Sequence, residues 1–147
     1  MKPNPMKIIK HTLSCCLLAP LIGILIGSMA TAAPDDAKIA RDVDSVQVAK
    51  AWFISLMQGD TAVTASLSEA PFNLDGKHEI ATMGELKKIY DSVVEKKGKR
   101  NLKVGSAKVS LSTPEKVTVL ITIEGDDETI SVFVKPGDAF RVIGFRY

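Results

Sequence analysis

The stretch KVTVLITIEGDDETISVFVKPGDAFRVIGFRY, residues 116 to 147, decides the fold. Three runs rich in β-branched and aromatic residues, Lys116 to Glu124, Glu128 to Lys135 and Ala139 to Arg146, are parted by Gly125-Asp126-Asp127 and Pro136-Gly137-Asp138. Gly, Pro and Asp at such breaks form tight turns, so the spacing predicts three long strands in an antiparallel meander. In the first run Val117, Val119, Ile121 and Ile123 alternate with Thr118, Leu120 and Thr122. One face therefore needs a covering layer from upstream. The other face is also fairly apolar, which admits a partner subunit, and a homodimer through the sheet is one expectation.

Working back, a fourth long strand is read from Leu102 to Ser112, with a slip in its pattern. Leu102 and Val104 fall on even positions, whereas Ala107, Val109 and Leu111 fall on odd ones. A β-bulge near Gly105 would return all five to one face and bend the sheet. Before it, Thr82 and Glu85 make a capping box, and Leu86, Ile89, Tyr90, Val93 and Val94 recur at helical spacing up to Gly98. Phe72 to Ala81 reads as a short hairpin about the pair Asp75-Gly76.

Two further helices precede it. The first starts at Asp42 or Asp44, carries Val46, Ala49, Trp52, Phe53, Leu56 and Met57, and stops at Gly59-Asp60. The second, from Asp60 or Thr61, uses Ala62, Val63 and Leu67 and ends before Pro71. The fold class expected is α+β: three N-terminal helices packed on a curved antiparallel sheet of four long strands plus a short hairpin, over residues 42–147. Residues 33–41 lack periodicity and are expected to form a flexible leader.

Residues 1–32 have the three parts of a cleaved signal peptide. Lys2, Lys7 and Lys10 precede an apolar run from Leu13 to Met29, and Ala30-Thr31-Ala32 suits the cleavage site. The expected localisation is export across the cytoplasmic membrane, to a periplasm or the exterior. An uncleaved anchor is the alternative, because roughly 18 apolar residues can cross a bilayer, and it is the only membrane contact expected. Lipidation at Cys15 or Cys16 is a third reading, disfavoured because the apolar run follows the cysteines.

Cleavage also fixes the available chemistry. Both cysteines lie in the signal, so the mature chain has no disulfide, thiolate nucleophile or cysteine-based zinc site. Removing three lysines takes the 19 basic residues to 16 against 17 acidic, which leaves no electrostatic case for nucleic acid. The cluster Lys96, Lys97, Lys99, Arg100 and Lys103 remains, either as the solvated end of a helix or as an anionic-surface contact. No cofactor or metal motif is present: there is no P-loop, dinucleotide glycine pattern, nucleophile elbow or ligand spacing.

The order helix, helix, short hairpin, helix, four long strands resembles the nuclear transport factor 2-like superfamily, with its cystatin-like α+β cone. Ala51-Trp52-Phe53 leading to Gln58-Gly59-Asp60, Ser68 to Phe72, and the closing Val132 to Phe145 carry the resemblance, which spans residues 40 to 147. The resemblance implies a curved sheet wrapped round the helices, a conical cavity at one end and frequent dimerisation. It does not choose among the isomerases, dehydratases, cyclases and transport factors of that group.

Candidate site residues follow from the cone. Trp52, Phe53, His78, Tyr90 and Arg141 are the expected ligand-binding residues, with His78 as candidate general base or acid because it shares strand parity with Ile80. Each also has a plainer reading: core for Trp52, Phe53 and Tyr90, a turn-side residue for His78, a surface strand cation for Arg141. Isomerases of the group use a strand carboxylate, yet Glu124, Asp126, Asp127, Glu128 and Asp138 all fall at strand ends or turns. The expected function is an exported noncatalytic module that binds an apolar small molecule or a protein. The alternative is a small lyase or isomerase using His78 in the cone.

Overall fold

In the computed structural model, which describes residues 34–147, the chain runs α1 (Pro34–Gln58), α2 (Thr61–Ser66), β1 (Ser68–Leu74), β2 (His78–Ile80) and α3 (Met83–Lys97). It then runs β3 (Val104–Ser112), β4 (Val117–Ile123), β5 (Thr129–Lys135) and β6 (Arg141–Arg146). The proposed signal peptide lies outside the described residues. Among the described residues no helix is long and apolar enough to cross a membrane.

Helix α1 begins well before the expected Asp42 or Asp44 and takes in the stretch expected to be a flexible leader. Asp35 and Asp36 in the first turn complement the positive end of the helix dipole, and Lys38 pairs with Asp42 one turn on at 2.6 Å. Residues 35–40 are exposed, so helix geometry there leaves no apolar stripe for a sequence reading to find. The buried face starts at Ser45 and continues through Ala49, Trp52, Phe53 and Leu56. Helix α2 also departs from expectation: Ala62 and Val63 are exposed and Thr64 is its buried residue. Its hydroxyl donates to the Asp60 carbonyl at 2.8 Å, which makes the burial tolerable.

The six strands form one sheet in the order β2-β1-β6-β5-β4-β3. Every pairing is antiparallel except β1 with β6, which is parallel, so the expected wholly antiparallel sheet with a separate hairpin becomes a mixed sheet. Gly144 is what admits β1. A Cβ there would lie 2.6 Å from the Asn73 carbonyl oxygen, so only glycine lets the two backbones come this close. At the other end of the pair the Val142 amide donates to the Leu67 carbonyl at 2.8 Å.

Val117, Val119 and Ile121 on β4 and Ile130, Val132 and Val134 on β5 form the floor beneath α1, and all are buried. Strand β3 contains the expected bulge at Gly105, between the pairs Val104 with Ile123 and Ser106 with Thr122. It also contains a second, at Ser110, which the sequence pattern did not suggest. That second bulge turns Leu111 outward opposite Thr118, where it is 54% exposed, and turns Ser112 inward opposite Val117. Ser112 then meets Arg41 and Asp42 of α1, a polar contact that holds the edge strand to the helix.

Candidate functional site

Helix α3 carries its apolar stripe as expected, but the stripe does two jobs. Leu86 and Tyr90 are buried in the core, whereas Ile89, Val93 and Val94 are only partly covered. These three, with Tyr90, form one wall of a cavity of about 170 Å³. Leu56 and Met57 from the end of α1 and Leu74, Phe145 and Tyr147 from the sheet side complete the apolar lining. The remaining lining residues, Lys97, Gly98 and Arg100, are exposed and stand where the cavity meets solvent.

Chain geometry fixes that rim. Gly98, at φ +70°, ends α3, its amide donating to the Val94 carbonyl at 2.9 Å. Two residues on, the Arg100 amide donates to the Met57 carbonyl at 2.7 Å, which ties the loop to the end of α1. Lys97 and Arg100 are thereby held on the same opening.

Behind the cavity lies a closed polar network. Ser68 Oγ donates to the Thr64 carbonyl at 2.7 Å and receives Trp52 Nε1 at 3.0 Å. Its single proton is thus committed, so in the 2.9 Å contact with Tyr90 the phenol is the donor. Trp52 Nε1 also approaches the Tyr90 oxygen at 3.3 Å. Burial raises the Tyr90 pKa above its ordinary value, with the hydrogen bond donated by the Trp52 indole pulling the other way. Both the proton and the oxygen of this phenol are occupied by the protein.

No family model matches the sequence, and no curated protein does. Solved structures do match. A Streptomyces avermitilis protein of the nuclear transport factor 2-like family, named as a candidate dehydratase, aligns at TM-score 0.52, with 14% identity over 78% of this chain and 96% of that one. The chain has the nuclear transport factor 2-like fold. A Nostoc punctiforme protein of unknown function with a cystatin-like fold aligns at TM-score 0.49, with 12% identity over 78% of this chain and 90% of that one. A Mycobacterium tuberculosis epoxide hydrolase aligns at TM-score 0.43, with 11% identity over 71% and 81%.

Within this fold the five expected site residues separate. Tyr90 alone lines the cavity. Trp52 and Phe53 are each 1% exposed and fill the core, Trp52 lying 5.5 Å from Phe145 and 6.2 Å from Phe72 between ring centroids. His78 does not point into the cone. It is exposed on β2, a three-residue strand at the sheet edge where little lies over its side chain, and it is absent from the cavity wall. Arg141 alternates to the outer face of β6, beside Lys135 on β5, and its guanidinium donates to the Phe140 carbonyl at 3.0 Å.

Ser55, Thr64 and Ser68, which tie α1, α2 and β1 together, were not anticipated. The available clue was chemical: a buried indole N–H and a buried phenol each need a partner. Among the described residues no group of three or more His, Cys, Asp or Glu could hold a metal ion. No Asp, Glu or His side chain lines the cavity, so its side chains offer shape, apolar area and two cations rather than a carboxylate or imidazole for proton transfer.

Proposed function

We propose that this domain is a noncatalytic binding module whose cavity holds a small, mostly apolar molecule. One observation carries the reading: the open cavity is lined by apolar side chains, and the single buried acid in its wall, Tyr90, has its hydroxyl engaged by Ser68 and Trp52. At about 170 Å³ the cavity is below the roughly 300–1,000 Å³ typical of sites for drug-sized ligands, so the occupant is a short chain or a single ring. The tripartite N-terminus supports delivery across the cytoplasmic membrane, with residues 1–32 removed.

Lyase or isomerase chemistry at His78 draws no support from an exposed edge-strand position away from the cavity. Native mass spectrometry of the protein purified from its host tests the reading. The expected spectrum contains a retained small molecule and a chain lacking residues 1–32. Ile89→Trp, which places an indole in the cavity, removes the adduct and leaves the fold. A bare chain mass at every purification stage contradicts the binding proposal.

A further inference from the structure

Lys97 and Arg100 are the charged side chains in the cavity wall, where no Asp or Glu side chain joins them; the Glu128 and Asp75 carboxylates act on the Tyr147 phenol from outside the wall. The ion pairs among the described residues join Lys38 with Asp42, Lys87 with Asp91 and Lys135 with Glu69, so both rim cations lack an acidic partner. A lysine near a helix C-terminus can be explained by the helix dipole. Lys96 meets that need without lining the cavity, and Arg100 lies beyond the helix end.

The backbone bond from Arg100 to Met57 fixes the main chain from which the second cation reaches the rim. On the neighbouring surface of α3, Lys88 and Lys96 flank the partly exposed Ile89 and Val93, which continues the same pairing of apolar floor and cationic border. Two positive groups at the open end of an apolar hole match a molecule with one short hydrocarbon tail and one anionic head.

We infer that the ligand is an anionic amphiphile, with its tail against Ile89, Val93, Val94 and Phe145 and its carboxylate or phosphate between Lys97 and Arg100. This deepens the binding proposal above and rests on it. The head could belong to a free short-chain acid or to a single-chain lipid. Lysine and arginine accept both, and arginine adds a bidentate fork for either oxyanion.

Calorimetric titration of the protein, freed of any retained molecule by unfolding and refolding, at neutral pH and low salt, separates the cases with octanoate, 1-octanol and a short-chain lysophosphatidate. Octanoate or lysophosphatidate is expected to bind at least tenfold more tightly than octanol, and whichever is tighter identifies the head. Added salt is expected to erase the preference. The double variant Lys97→Gln, Arg100→Gln is expected to bring the anionic probes to the octanol level while octanol binding stays as in the wild type, which also shows that the variant is folded. If octanol binds as well as both anions, the head-group inference is overturned and the cavity remains a ligand site. If none of the three binds, the cavity reading fails with it.

Discussion

Ser68 has one hydroxyl and three neighbours that need it. It supplies a proton to Thr64 and accepts from both Trp52 and Tyr90, in a site where Ser68 is 6% exposed and both rings 1%. Ser68→Ala strands a buried phenol donor and weakens the indole's pairing, so urea unfolding is expected to show a loss of about 1–3 kcal/mol. Ser66→Ala, at the exposed last residue of α2, is expected to stay within about 0.5 kcal/mol. Equal effects at the two positions would contradict the network.

Tyr90 adds a pH test. Burial holds its folded-state pKa above the ordinary value of 10.0, so the unfolded chain gives up the phenolic proton first. Its contribution to stability is therefore complete below about pH 10 and declines as the pH rises from there through the folded-state value. Stability measured from pH 8 to 11 is expected to fall less steeply for Tyr90→Phe than for the wild type. Tyr147 is also raised and remains in both proteins, so the difference between the two curves isolates Tyr90. Parallel curves would show that the phenol is not held protonated by the fold.

At the scale of elements, β1 and β3 carry the departures from a simple pattern that substitution can test, beside the extra residue Ile143 in β6 between its pairs with Phe133 and Val134. Gly144→Ala puts a methyl group against Asn73 and should prise β1 from β6, at about 1–3 kcal/mol by the usual cost of overpacking. In β3, the second bulge predicts that Leu111→Lys is tolerated within about 0.5 kcal/mol, whereas Val109→Lys, which puts a charge on the inward face opposite Val119, is strongly destabilising. Thermal unfolding of the pair decides it, and similar losses would return Leu111 to the core.

These two elements also show where sequence reading stops. The strands of residues 116–147 could be read because alternation and turn residues are local, and so could α3, bounded by Thr82 and Gly98. The Gly105 bulge left a slip in parity. The Ser110 bulge left none that could be read, because Leu111 keeps the phase of Ala107 and Val109 and only the pairing with Thr118 reveals its direction. Parallel contact of β1 with β6 joins residues about seventy positions apart, and its sole trace is a glycine that could equally have marked a turn. Of the site, Tyr90 was legible as part of a helical stripe. Lys97 and Arg100 were visible only as members of a charge cluster, because sequence order does not tell which cations overhang a cavity.

At the scale of the whole molecule, the helices and sheet divide the labour. The middle of α1 and the floor of β4 and β5 make a tightly filled core, in which Trp52 and Phe53 occupy the space that a larger cone would leave open. A cavity opens toward the ends of α1 and α3, where Met57, Val93 and Val94 are half-covered and the rim is cationic. The outer face of the sheet has its own partly exposed apolar residues, Leu120, Phe133 and Ile143, remote from that cavity. The ligand proposed above therefore has its place at one end, among the ends of α1 and α3 and β6. Methyl-resolved NMR of the isotope-labelled chain during an octanoate titration tests it most directly. The account predicts shifts at Leu56, Leu74, Ile89, Val93 and Val94 with Leu120 and Ile143 unmoved; shifts confined to Leu120 and Ile143, or none at any methyl, would contradict it.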